Sequence, residues 1–239
     1  MNIRGMLSSS FNEWEGRITA VLFTGGCNWR CPYCHGARLV TDFASLPEIP
    51  AAQALAVIDD RRDWLDGVVI TGGEPTLQPD LPEFIHELNL RSVPVKLSTN
   101  GTHPEVVEKL LERDQLTCLG FDYKAPLDAR LVDLMGVDGG LDLLENVKRS
   151  YAIARAAAVK EIEFHTTLCP TFVDEKIIGE MGAALDLPRA LWVLQQYEND
   201  VEMIDSARAG TARYSLEQLT IIEQAARKHH PRVLLRKGK

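Results

Sequence analysis

The sequence predicts a parallel α/β fold: a partial, TIM-like (β/α)6 barrel, with the sheet inside and helices outside. Three observations predict it. Short apolar runs rich in β-branched residues alternate about six times with segments of helical periodicity. The fifth run, Glu161–Leu168, alternates strictly, with Ile162, Phe164 and Leu168 on one face and Glu163, His165 and Thr167 on the other. Uncommon residues gather just after the runs, at the strand ends where parallel α/β folds hold ligands. Alternation alone allows a doubly wound sheet as well. The polar face of the fifth strand favours a barrel, because Glu, His and Thr suit a lumen better than a helix-covered surface.

The elements follow in order. Residues 1–16 read as an irregular lead-in anchored by Phe11 and Trp14. Residues 17–24 form a nearly unbroken apolar run, the mark of a strand buried on both faces. A cysteine-rich loop follows, and residues 51–65 are rich in Ala, Leu and Ile, as in a helix. Residues 67–71 are the second strand, closed by Gly72-Gly73-Glu74-Pro75. Asp80 and Glu83 have capping-box spacing ahead of a helix that carries Leu81, Phe84, Ile85 and Leu88 on one face. Residues 94–98 give the third strand, and Pro104 suits the first turn of the next helix. Residues 117–122 are the fourth strand, 141–157 a helix after Gly139-Gly140, and Glu161–Leu168 the fifth strand. Residues 173–185 are helical and Leu191–Gln196 the sixth strand. Ser215 and Gln218 cap a last helix, and residues 233–235 make a short final strand.

The whole of residues 1–239 reads as one domain. The net charge of −8 argues against a broad nucleic-acid surface, which needs a basic patch. The sequence holds no membrane-length apolar run and no signal-peptide pattern. Five cysteines, three of them clustered, are not a disulfide framework and place the chain in a reducing cytoplasm.

The chemistry starts at Cys27-x3-Cys31-x2-Cys34. Three thiolates can converge there on one inorganic centre. With His35 as fourth ligand the loop is a structural zinc site; with an open position it suits an iron–sulfur cluster that binds something else at its fourth iron. Adjacent Cys34 and His35 converge poorly, and zinc leaves Gly-Gly-Glu-Pro unexplained. Read singly, the other motifs have plainer meanings: a turn for Gly-Gly-Glu-Pro, a strand end for Ser98-Thr99-Asn100-Gly101, an ion pair for Asp122 and Lys124, a core histidine for His165. Cys118 and Cys169 read as small core residues.

Taken together, the cysteine spacing with Tyr33 before its last member, Gly72-Gly73-Glu74-Pro75, Ser98-Thr99-Asn100-Gly101 and Asp122-Tyr123-Lys124 resemble the radical S-adenosylmethionine (SAM) enzymes. The resemblance implies one 4Fe–4S cluster on Cys27, Cys31 and Cys34, with SAM chelated at the fourth iron and cleaved to a 5′-deoxyadenosyl radical. It implies a cofactor site in which Gly72 and Gly73 let backbone approach the methionine moiety and Glu74 accepts from its ammonium. Tyr33 lies by the adenine, and Ser98, Asn100 and Asp122 meet the ribose or the carboxylate end. Lys124 meets the carboxylate, and His165 has a pocket role. No catalytic side chain is implied beyond the cluster and SAM.

Within that superfamily the chain is similar to glycyl radical enzyme activating enzymes, more narrowly those of anaerobic ribonucleoside-triphosphate reductase. The residues that carry this include Phe23-Thr24-Gly25-Gly26-Cys27-Asn28, Phe121-Asp122-Tyr123-Lys124-Ala125-Pro126 and Leu194-Gln195-Gln196-Tyr197. The implied partners are that reductase and a flavodoxin or ferredoxin electron donor, with no nucleic acid and no membrane. Three positions depart from the pattern: Gly36 stands where many activators have asparagine, Gly25 replaces a common glutamine, and Ser98 stands where an aspartate often helps hold a cation by the SAM carboxylate. The alternatives are a small-molecule enzyme similar to 7-carboxy-7-deazaguanine synthase and a zinc-stabilised binding module.

Overall fold

The computed structural model describes residues 1–210 and 212–238. Its strands are β1 (Ile3–Ser10), β2 (Thr19–Thr24), β3 (Gly67–Gly72), β4 (Val95–Thr99), β5 (Cys118–Asp122), β6 (Glu161–Leu168), β7 (Leu191–Gln196) and β8 (Val233–Arg236). They form one sheet in sequence order. Strands β2 to β8 are parallel throughout, and β1 pairs antiparallel with β2. The edge strands β1 and β8 are not bonded to each other, so the barrel is partial.

Helices connect the parallel strands: α1 (Ala37–Thr41), α2 (Ala51–Asp60), α3 (Leu81–Leu90), α4 (Pro104–Glu112), α5 (Ala129–Met135), α6 (Gly140–Ala156), α7 (Glu175–Ala184), α8 (Ser206–Ala209) and α9 (Leu216–Arg227). Pro104 opens α4 at a first-turn position, where its missing N–H costs nothing. Ser215 and Gln218 make a reciprocal capping box on α9.

Three local expectations give way. The lead-in is not irregular, because Ile3–Ser10 is a strand; Trp14 is fully buried, but Phe11 is 71% exposed and anchors nothing. Asp80 does not cap α3 through its side chain, which instead meets the N-terminal ammonium of Met1. The α2 helix stops at Asp60, and Arg62–Trp64 is a separate 3-10 turn.

The buried side chains fall into two groups. The large one lies between the sheet and the helices, and includes Leu22, Ile70, Leu97, Phe164 and Trp192 from one face of the strands. The small one holds Trp14, Val21, Val69 and Cys118 on the other face, inside the barrel. Trp14 closes the lumen beneath the N-terminal ends of the strands. Its indole N–H donates to Glu161 Oε2 at 2.9 Å, and the Arg17 guanidinium stacks 4.4 Å from its ring.

Candidate functional site

At the C-terminal ends of β2 to β5, four strand–loop junctions converge. The cavity between them is lined by Cys27, Cys31, Cys34, Gly72, Gly73, Glu74, Ser98, Asn100, Asp122 and Lys124, with Trp29, Val40, Thr71 and Thr99. Tyr33 and His165 are not among the lining residues. Tyr33 is buried against Phe172, ring centroids 5.5 Å apart.

The cysteine loop is bound tightly to the β3 turn. Gly73 N donates to Thr24 O, and Glu74 N donates to Gly26 O, both at 2.8 Å. Gly72 has φ +117°, and a Cβ there would stand 2.6 Å from Thr24 O, so only glycine fits. Glu74 is 1% exposed and is the knot of the site. Its Oε1 accepts from Thr76 N at 3.0 Å, Thr76 Oγ1 at 2.6 Å and Thr99 Oγ1 at 2.7 Å, while Oε2 accepts from Asn100 N at 2.7 Å. Burial raises its pKa against the lowering effect of those four bonds. Glu74 therefore ties the ends of β3 and β4 together.

Asn100 is equally committed. Its Oδ1 accepts from Thr102 N and Oγ1, and its Nδ2 donates to Asn28 Oδ1 at 2.9 Å, with Cys27 Sγ 4.0 Å away. The amide braces the cysteine loop. Asp122 and Lys124 do form an ion pair, at 3.0 Å. Burial works against the Lys124 charge, but Asp122 and the Cys31 sulfur hold its pKa well above the ordinary lysine value. The ammonium also lies 5.8 Å from the Trp29 ring centroid.

The donor set fits an iron–sulfur cluster with an organic ligand beside it. Three thiols border one cavity, yet among the described residues no three Cys, His, Asp or Glu side chains are grouped to hold a single ion. A cubane asks for one thiolate per iron, not three on one metal. His35 is exposed, with Nε2 3.2 Å from Glu198 O, so it is not turned to complete a zinc site. Burial pushes the Cys27 thiol up to about 11 and Cys31 up to about 12, so a metal must displace their protons. Trp29 Nε1 is buried and has no hydrogen-bond partner, leaving a donor beside the cavity for an incoming group.

A parallel partial barrel with this loop at its mouth defines an iron–sulfur enzyme that works on SAM. Residues 21–179 match the family model of the radical SAM superfamily, and the chain belongs to that superfamily. Its cofactors are a 4Fe–4S cluster and SAM. A candidate glycyl-radical enzyme activating enzyme of Methanocaldococcus jannaschii is 29% identical over 199 residues, 82% of this chain and 80% of the relative. A 7-carboxy-7-deazaguanine synthase of Rhodospirillum rubrum is 40% identical over 91 residues, 37% of this chain and 36% of the relative. Among solved structures, a radical SAM methyltransferase from Sphaerobacter thermophilus aligns with 93% of this chain and 67% of its own at TM-score 0.68 and 19% identity. SuiB of Streptococcus suis bound to SAM aligns at TM-score 0.64 and 16% identity over 88% of this chain and 48% of its own.

Sequence reasoning missed several parts of the site. Thr76, Thr99 and Asn28 hold Glu74 and Asn100, yet hydroxyls and amides at strand ends carry no distinctive signal. Lys96 was passed over inside the third strand. It is fully buried and paired with Glu163 at 2.5 Å, with its Nζ also donating to Glu13 O at 2.6 Å. A lysine within an apolar strand, opposite an acidic residue on the polar face of β6, was the available signal. No helix among the described residues is long and apolar enough to cross a membrane.

Proposed function

We propose that this radical SAM enzyme installs a glycyl radical on a partner protein, and that the partner is anaerobic ribonucleoside-triphosphate reductase. For the glycyl-radical step the carrying observation is the extent of the match to the Methanocaldococcus jannaschii protein, four-fifths of both chains, against little more than a third for the deazaguanine synthase; the choice of the reductase rests on the sequence resemblance alone. The unbonded edges β1 and β8 support it, since a partner's loop needs a lateral way into the lumen. The whole chain acts as one catalytic domain, in the cytoplasm, with a flavodoxin or ferredoxin as electron source.

The cluster, when bound, supplies the electron that cleaves SAM to methionine and a hydrogen-abstracting 5′-deoxyadenosyl radical. The chain's residues prepare that event. Cys27, Cys31 and Cys34 would hold three irons of the cluster and leave one for SAM. The backbone at Gly72 and Gly73 would lie along the methionine moiety, and Glu74 Oε2 would accept from its amino group. Lys124 would neutralise the carboxylate. Ser98 and Asp122 would meet ribose hydroxyls, and Trp14 keeps water from below. Tyr33 acts from behind the loop through its backbone, and Asn100 through Cys27 rather than through SAM.

The test is anaerobic incubation of the reconstituted chain with SAM, a reductant and the reductase of the same genome. A protein-centred doublet in electron paramagnetic resonance is expected, with 5′-deoxyadenosine formed. SAM cleavage with no protein radical sinks the proposal. The 40% identity to the deazaguanine synthase favours a second reading, in which a small heterocycle occupies the lumen; turnover of the synthase's substrate would then be seen without any reductase.

A further inference from the structure

The cofactor cavity ends at Asp122 on β5. In register with Asp122 on β6 is His165, the first lumen residue beyond it. His165 is partly exposed and lies 2.9 Å, through Nε2, from Oε2 of Glu163. That same oxygen takes the Lys96 ammonium at 2.5 Å. Glu163 is 4% exposed, and no described residue bonds its Oε1. One buried carboxylate oxygen is therefore spoken for twice, and its twin is left over.

The protonation states follow from these contacts. Burial raises the Glu163 pKa, but the His165 bond and the Lys96 charge outweigh it and bring the carboxyl down to about 2. Glu163 is an acceptor only, so His165 Nε2 must carry the hydrogen of their bond. Burial and the Lys96 charge lower the His165 pKa, so the ring is neutral and Nδ1 is bare. Two acceptors, His165 Nδ1 and Glu163 Oε1, thus stand on β6 with no protein donor. From there a polar row runs sideways: Thr167, Gln195 and Arg236 are register partners on β6, β7 and β8, all partly exposed. The row reaches the edge strand β8, where the Arg236 guanidinium also lies 3.5 Å from Glu15 Oε2 of the β1–β2 connection. A compact ring would fill only its inner end. An extended peptide would use its length.

We propose that His165 Nδ1 and Glu163 Oε1 are substrate-binding acceptors that take backbone N–H groups of the peptide segment carrying the target glycine, with Thr167, Gln195 and Arg236 guiding that segment in from the β8 edge. This rests on the glycyl-radical reading above. Lys96 keeps Glu163 ionised and fixed, and Glu163 in turn fixes the His165 tautomer and ring plane.

Two substitutions separate binding from mere support. In His165→Gln the side-chain amide can still donate to Glu163 but offers no acceptor at the Nδ1 position. In His165→Asn the carboxamide oxygen can stand where Nδ1 was, while the bond to Glu163 is lost. The assay is the initial rate of glycyl radical formation against reductase concentration, with saturating SAM. His165→Gln should raise KM for the reductase about tenfold with kcat changed less, the loss of roughly one hydrogen bond, and His165→Asn should stay within about threefold of wild type. The reverse order of the two variants would make the Glu163 contact structural and overturn the proposal. So would a His165→Gln KM within about twofold of wild type, a few tenths of a kcal/mol. If the wild-type chain forms no radical on the reductase at all, the functional reading fails first and this one with it.

Discussion

Replacing Gly73 with alanine tests how the site is held together. A Cβ at Gly73 would stand 2.6 Å from Gly26 C, 3.3 Å from Gly26 N and closer still to Gly26 O. All three are backbone atoms, so no flexible side chain can swing away. To reach van der Waals distance, the β3 turn and the cysteine loop must separate by on the order of 1 Å, the scale of misfit that overpacking forces on a core. That movement breaks the bond from Glu74 N to Gly26 O, now 2.8 Å, and disturbs the one from Gly73 N to Thr24 O. One lost buried hydrogen bond costs about 1–3 kcal/mol, and the residual strain about as much again. The expected total of roughly 2–6 kcal/mol lowers the melting temperature by about 4–24 °C for a chain of this size. The second effect is on the cofactors. With Cys27 displaced from Glu74, reconstituted Gly73→Ala should bind SAM at least tenfold more weakly than wild type. Gly179→Ala is the control: nothing lies within 4 Å of a Cβ there, and the position is inside α7. It should be neutral or stabilising by up to about 1 kcal/mol. A Gly73→Ala protein that melts within 2 °C of wild type and binds SAM normally would refute the steric argument.

Further outcomes follow from other contacts. Cys31→Ser should drop the iron content after reconstitution from about four per chain to below about one, because a buried serine hydroxyl is a poor substitute for thiolate; iron and sulfide analysis decides it. Ser215→Ala removes one half of the α9 capping box and should cost about 1 kcal/mol, or roughly 2–4 °C in a melt, with no effect on the cluster. Acid should weaken the fold through Glu163, whose pKa falls from 4.5 to about 2 on folding. A depressed carboxyl stabilises above its unfolded pKa, so this stability is whole above pH 5 and is lost as the pH falls toward 2. Urea titrations should show a loss of roughly 2 kcal/mol between pH 5 and pH 3 from this group. A slope left unaltered by Glu163→Gln would show that the pair is not its source.

Most parallel strands were legible as apolar runs buried on both faces: Val68, Val69 and Ile70 are all fully buried, although Val69 faces the lumen and its neighbours face the helices; β6 was legible instead by its strict alternation. Strand β1 was not legible. It is an edge strand with one partner, and Leu7, Ser8, Ser9 and Ser10 have the composition of a loop. Its pairing with β2 is a tertiary fact that local propensity cannot supply. In the site, types of residue were legible and their commitments were not. The spacing of Cys27, Cys31 and Cys34 and the glycines at 72 and 73 follow from local geometry. That Glu74 and Asn100 spend most of their bonding on Thr76, Thr99, Asn28 and Thr102 depends on three chain segments meeting. The same holds for Lys96 and Glu163, paired across 67 residues.

The unequal division of the buried side chains has an evolutionary consequence. The large cluster between sheet and helices holds most of the apolar burial, and the lumen cluster of Trp14, Val21, Val69 and Cys118 is small. Folding energy scales with buried apolar area, so it resides chiefly in residues that no substrate touches. Lumen positions such as Thr167 and Gln195 can then mutate without drawing down the reserve that keeps the chain folded. An architecture of this kind can wander among substrates, peptide or small molecule, while its scaffold stands still.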